Sequence, residues 1–416
     1  MMLQHFARTV CFISVILKYC VMKINTGKGF ISVWALLGIW SVSALTSLPG
    51  LAISPISEKL ETIFPTATEL EIQLLTTLPS LLIIPFILLA GFISNRVGYI
   101  RLLYSGLSLF LLCGALYFVC GSMLQLIIVS ALLGIGAGII VPLSTSLVSR
   151  FFAGEQRTKQ YGYVSAINNV TLVVATAITG WLAAVQWRLP FVVYLLPLFS
   201  IILVPFIKRS ESGIVDNPTS NGGKTAVAGK VNYGRLVKYM LYYLLITYLV
   251  MVVSIDLPFL FGKLGLDGEL SGLVISLFFI AITVPGLFIN RIIKSLESNI
   301  LMYALLLIAI GLLDVYLNSS LLFMILGCVA AGFGYGMAQP YIYDVTASLA
   351  PGKKVTFVLA LLMSMNYVAI VICPFVLDFM QDMIGRNGVR SPFAINAMIA
   401  AVAWLFVVLR GFFVKR

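Results

Sequence analysis

Histidine is nearly missing from this sequence, with His5 the only one. The six cysteines, Cys11, Cys20, Cys113, Cys120, Cys328 and Cys373, form no C-x-x-C pair and lie mostly in apolar runs, so they read as small buried hydrophobes rather than disulfides or metal ligands. Charge is scarce too, at 10% of residues, and no cluster of His, Asp or Glu near an interface offers an enzyme its acid and base. The glycine runs are neither preceded by a strand nor followed by a solvated helix start, so they are no nucleotide-binding fingerprint, and no cofactor or metal is expected. What fills the chain is apolar: 61% hydrophobic residues over 416 positions and a mean hydropathy of +1.07, more than one water-bounded core could hide.

Apolar stretches of about 20 residues, enough to cross roughly 30 Å of hydrocarbon, recur along the whole sequence. They predict an all-α polytopic membrane protein of twelve helices, starting near Phe30, Leu70, Leu102, Met123, Tyr161, Arg188, Leu236, Leu270, Ile300, Leu321, Val355 and Phe393. Alternate loops differ in charge. One set, with both termini, holds 22 of the 27 Lys and Arg, while the other keeps only Lys59, Arg188, Lys263, Arg386 and Arg390. By the positive-inside rule the basic loops and both termini face the cytoplasm. The net charge of +12 is thus a topology signal, and no nucleic-acid site is read into it.

In the first 22 residues, "TVCFISVILKYCVM" is short for a span and no cleavage site follows "MMLQHFAR". Met22, followed by the basic lead-in "KINTGKGF", is expected to be the physiological start, which would leave His5 outside the working protein. Residues 1–29 are then a cytoplasmic segment and 30–207 a six-helix bundle. A cytoplasmic linker rich in Gly, Ser, Asn and Pro covers 208–235, and 236–416 form a second six-helix bundle.

The two halves repeat one another. "GIGAGIIVP" and "GFGYGMAQP" align Gly134, Gly136, Gly138 and Pro142 with Gly332, Gly334, Gly336 and Pro340, all 198 positions apart, and the same shift pairs Gly154 with Gly352 and Asn168 with Asn366. A shift of 195 pairs Gly91, Asn95 and Arg96 with Gly286, Asn290 and Arg291. Two six-helix repeats about an axis along the membrane normal follow. The glycines four apart share a helix face and suit close packing, while Pro142 and Pro340 each remove a helix hydrogen bond and suit a hinge.

With these features the chain resembles a major facilitator superfamily transporter from Lys23 to Arg416. The family's signature after its second helix runs Gly, three residues, Asp-Arg, one residue, Gly, then basic residues; Gly91, Arg96 and Gly98 stand in place. Asn95 replaces the acid, and Tyr99 and Ile100 delay the basic residue to Arg101. The resemblance makes this loop, and its repeat, latches at the cytoplasmic side. With Asn95 and Asn290 in the acid's place, a neutral hydrogen bond is expected to hold them, less sensitive to salt than an ion pair. Ser130 and Leu133 stand where antiporters of the family often carry Arg and Gln, and "ATAITGWLAAVQWR" keeps only Gly180 of their Gly-Pro run. The "WRLPF" at Trp187 to Phe191 does resemble the usual lead into the sixth helix.

Polar residues inside a span are costly and tend to face a cavity or a partner. Asn168, Asn169, Gln339 and Asn366 are therefore the candidates for a substrate cavity, with interhelical packing as the alternative. A carboxylate that alternates between wet and dry surroundings can take up and release a proton, which makes Asp344 and Asp256 the coupling candidates; Asp314 and Asp378 lie near outer helix ends. Tyrosines of "YMLYYLLITY", Tyr239 to Tyr248, suit a cavity for an amphipathic molecule or, for Tyr239, an interface anchor. The resemblance implies a monomeric secondary transporter of a bacterial inner membrane, moving a small organic solute by alternating access, and not an enzyme, while the positions of Asp344 and Asp256 point to protons as the coupling ion. Efflux is the first reading and uptake of an organic anion the second, although the latter would want a buried arginine in the first half. A polytopic membrane enzyme or channel is the remote third.

Overall fold

The computed structural model describes residues 23–49, 67–211, 231–266, 268–296, 299–350, 354–384 and 388–414, with scattered positions between 50 and 66. Met22, most of the linker and Gly352 lie outside the described residues. Two short strands, β1 (Lys23–Asn25) and β2 (Phe30–Ser32), form an antiparallel hairpin where only a basic lead-in was expected. Twelve helices of more than eight residues follow among the described residues. They are α1 (Val33–Ala44), α2 (Glu69–Val97), α3 (Tyr99–Leu116), α4 (Met123–Phe151), α5 (Gly154–Val185), α6 (Pro197–Glu211), α7 (Tyr233–Lys263), α8 (Gly268–Leu287), α9 (Ile300–Leu317), α10 (Leu321–Ser348), α11 (Val355–Ile384) and α12 (Ser391–Val414). A 3-10 segment, Leu189–Leu195, leads into α6, and a short helix, Ile289–Leu296, stands between α8 and α9.

Local chemistry sets many of the starts. Ser32, Ser122 and Asn232 accept backbone N–H groups as N-caps of α1, α4 and α7, and Thr68 with Glu71 closes a reciprocal capping box on α2. Helix α5 begins at Gly154, seven residues before the expected Tyr161, so Arg157 and Lys159 belong to a helix rather than to a loop. Acidic Glu155 in its first turn favours that start.

Among the described residues, eleven of the helices are long and apolar enough to cross a membrane, and the exception is α1. With a 3-10 turn Leu45–Ser47 it is 15 residues long, or roughly 22 Å at 1.5 Å per residue. Ser41, Ser43 and Thr46 bond back to the carbonyls of Gly38, Ile39 and Ser43, and Pro49 follows, both of which oppose further helix. Beyond it Ala52, Ile53, Ile56 and Leu60 are buried in the protein.

The duplicated glycines are packing points. A Cβ on Gly134 would lie 2.6 Å from the Cα of Pro79, and one on Gly138 would lie 2.7 Å from the Cβ of Phe86, both on α2. Gly332 meets Phe278 O of α8 at 2.7 Å, and Gly336 meets Ile282 of the same helix. Gly136 approaches Phe110 of α3 just as Gly334 approaches Ala304 of α9. The glycine ladder therefore seats α4 on α2 and α3, and α10 on α8 and α9, in the same way. Both α4 and α10 continue through their prolines, Pro142 and Pro340. Gly91 and Gly286 do something else: Gly91 of α2 faces Ala360 of α11, and Gly286 of α8 faces Gly162 of α5, so each joins one half to the other.

Candidate functional site

Around those two crossings, at the end of the molecule that bears the basic loops, polar contacts bridge the halves. Arg157 of α5 meets Asp344 of α10 with Nε–Oδ1 at 2.6 Å, its Nη2 donates to the Asp344 carbonyl at 3.3 Å, and Thr158 Oγ1 donates to the second carboxylate oxygen at 2.8 Å. Both charged side chains are 19% exposed. Asn290 Nδ2 donates to the carbonyl of Glu155 at 3.0 Å, and Lys294 pairs with the Glu155 carboxylate at 2.9 Å on the open surface. Arg150, at the end of α4, donates to Thr356 Oγ1 of α11 at 3.0 Å and lies 4.3 Å over the ring of Tyr99.

At the loop of the second half Asn290 makes a neutral hydrogen bond, as a donor to a carbonyl. It does not act alone, because the Arg157–Asp344 pair lies beside it with little water to screen it. The side chain of Asn95 lies outside the described residues. Arg96 and Arg291 match in their surroundings, 5.1 Å over Phe92 and 6.0 Å over Phe288. Arg101 is exposed, and Gly98, at φ +88, makes the corner between α2 and α3 that an L side chain would strain.

Deeper in the membrane, roughly 14 Å along α10 from Ser348, stands Gln339. Its Nε2 reaches three phenol oxygens, Tyr343 at 3.0 Å and Tyr243 and Tyr335 at 3.3 Å, while its Oε1 accepts from Ser165 Oγ of α5 at 2.6 Å. Tyr243 and Tyr343 share a hydrogen bond of 2.6 Å, and the ring of Tyr161 stands edge-on to Tyr343 with centroids 5.8 Å apart. Asn366 accepts from Thr247 and Tyr335 at 3.4 Å each. Residues of α5, α7, α10 and α11 so converge on an uncharged patch of rings, hydroxyls and amides across the junction of the halves. Such a patch can grip hydroxyls, amides and aromatic faces, and it presents no formal charge.

The other candidates spread out. Asn168, with its amide nitrogen toward the carbonyls of Ser43 and Val164 at 2.8 and 3.2 Å and its oxygen 3.3 Å from Thr46 Oγ1, ties α5 to α1. Asn366 does the equivalent for α11 and Thr247 of α7, so the duplicated asparagines serve as ties in both halves, and Asn366 also joins the Gln339 patch. Asn169 bonds to Ser165 O within its own helix. Asp256, roughly 10 Å from the far end of α7, has a buried Oδ2 without a hydrogen-bond partner, and Asp378 of α11 is near enough to act on it electrostatically. Asp314 accepts from Asn318. Ser130 bonds to Tyr117 inside the first half. A groove of about 800 Å³ between α7 and α12, lined by Leu241, Leu245, Met398 and Phe406 among others, is almost wholly apolar; of the candidates it takes in only Tyr242.

The family model described as Major Facilitator Superfamily matches residues 35–372 and, in a second match, 239–415. The multidrug transporter protein MdtP of Bacillus subtilis is 35% identical over 126 residues, which are 30% of this chain and 22% of that protein. The quinolone resistance protein NorA of Staphylococcus aureus is 29% identical over 114 residues, 27% of this chain and 29% of that protein. The chain thus spans less than a third of the length of either of these curated relatives. Among solved structures, the proton:xylose symporter XylE bound to 6-bromo-6-deoxy-D-glucose aligns with a TM-score of 0.71 at 15% identity, covering 90% of this chain and 94% of that one. The human organic anion transporter MFSD10 (TETRAN) aligns with a TM-score of 0.70 at 15% identity, covering 89% and 97%. At such identities the likeness is one of fold. With its twelve helices in two six-helix repeats and a family match across most of its length, the chain belongs to the major facilitator superfamily and is a membrane transporter, not an enzyme.

Proposed function

We propose that this protein exports a small, uncharged or weakly charged amphipathic organic solute by alternating access, with protons as the coupling ion. The observation that carries this reading is the Gln339 patch, which lies across the junction of the halves, where sites in transporters of this kind are built. The names of MdtP and NorA, a multidrug transporter and a quinolone resistance protein, support export of an amphipathic molecule. The symporter XylE supports protons as a coupling ion on this fold. The protein works as a monomer in a bacterial cytoplasmic membrane, with its basic end and both termini inside, as the lysines and arginines indicate. The bridged basic end is then the cytoplasmic gate, closed in this structure.

Of the two coupling candidates, Asp256 takes the proton and Asp344 the gate. Asp344 is held by Arg157 and Thr158, whereas one oxygen of Asp256 is buried and unpartnered, so a proton there meets no competing cation. Reconstitution in liposomes with an imposed pH gradient, run over a panel of amphipathic compounds, tests this. Uphill transport driven by the gradient is expected, and Asp256→Asn should abolish the drive while downhill exchange continues. If Asp256→Asn and Asp344→Asn together left uphill transport and its pH dependence intact, the coupling would lie elsewhere. Dependence on ATP would overturn the class.

A further inference from the structure

The hairpin of β1 and β2 is no part of the helix bundle, yet it is docked with care. Lys23 pairs with Ser32, Ile24 with Ile31 and Asn25 with Phe30. The turn between is closed by Thr26, whose N–H and Oγ1 both donate to Gly29 O at 2.9 and 3.1 Å, and by the Asn25 side chain, which accepts from Gly27 N–H at 2.9 Å. This turn sits on the corner between α4 and α5. Ala153 N–H donates to Thr26 O at 2.9 Å, and Lys28 Nζ donates to the carbonyls of Ser149 and Arg150 at 2.9 and 3.1 Å. Those are among the carbonyls a helix leaves without partners at its C-terminus, where a cation also meets the negative end of the helix dipole. Gly27 has φ +78, and a Cβ there would fall 2.8 Å from Ala153 O, so only glycine lets the turn lie this close.

The corner so held is the one from which the gate grows. Arg150 precedes it on α4; Glu155, Arg157 and Thr158 follow it on α5, and all four reach the second half. We infer that Lys28 and its hairpin are a positioning device for the gate. By fixing the α4–α5 corner against the start of α1, they let these four residues meet α10, α11 and the Ile289–Leu296 helix together, and they favour the state closed at the basic end. The inference rests on reading Arg157–Asp344 as a gate.

Spin labels at Lys159 and Ser348, both exposed and on opposite sides of the pair, report the opening as a distance distribution in a cysteine-free background. Asp344→Asn is expected to populate a longer distance. Lys28→Ala should shift the same population, raising the ratio of open to closed several-fold, and Lys28→Arg should restore it. Gly27→Ala, which leaves Lys28 in place but lifts the turn off Ala153, should act like Lys28→Ala. In the Asp344→Asn background Lys28→Ala should add less than it does in the parent, because two of the four positioned residues, Arg157 and Thr158, have already lost their partner. A Lys28→Ala protein with the parent's distance distribution and only a lower melting temperature would overturn the inference, as would full additivity with Asp344→Asn. An unchanged distribution in Asp344→Asn itself would instead strike down the gate reading, a result distinct from a responsive Asp344→Asn beside an inert Lys28→Ala.

Discussion

Gln339 has two N–H groups and three phenol oxygens within reach, so its hydrogen bonds are always one short. A solute with a hydroxyl or carbonyl can enter that set by exchange rather than by breaking a saturated network. Gln339→Ala should therefore weaken binding more than it harms the fold. The hydrogen bond lost to the solute is worth about 1 kcal/mol, a rise in KM of roughly five- to tenfold, read from the concentration dependence of transport. Asn290→Asp should act at the gate, because it removes a donor to Glu155 O and sets a second carboxylate beside that of Glu155. Labelling of engineered cysteines from the side of the basic loops should rise, and more so at low salt. Some of this was legible beforehand: Tyr335, Gln339 and Tyr343 stand four apart and share one face of α10, a spacing open to anyone reading the sequence. The partnership of Arg157 with Asp344 was not, since 187 positions separate them and no periodicity links them.

At the scale of elements, glycines divide by what they meet. Gly136 and Gly334 pack helices within a half, whereas Gly162 and Gly286 let α5 and α8 touch across the halves. Gly334→Leu should lower thermal stability by about 1–3 kcal/mol through overpacking. Gly162→Val should leave melting closer to the parent and yet arrest transport, because the halves can no longer close at that crossing; comparing melting temperature with transport rate separates the two. The repeat itself was visible in spacing alone, and so were the eleven spans that stand among the described residues. The short α1 was not, because its serines and threonine are apolar enough in context to pass for more span, and the hairpin was hidden inside a run read only for its charge. The cue for it was there in Asn25, Thr26, Gly27 and Gly29, turn residues flanked by Ile24 and Ile31.

For the whole molecule, duplication explains why both crossings carry a glycine: the same helix contact is made twice, α2 on α11 and α8 on α5. Among the described residues the ion pairs are not duplicated in this way. Glu155, Arg157 and Asp344 all lie on the α5 and α10 side, so closure at the basic end is held asymmetrically. Alternating access requires these contacts to part in every cycle. Cysteines at Glu155 and Lys294, joined by a short reducible bis-thiol reagent in a cysteine-free protein, test that requirement most directly. Cross-linking should stop solute transport in liposomes, and reduction should restore it. Undiminished transport by fully cross-linked protein would contradict a gate at this end.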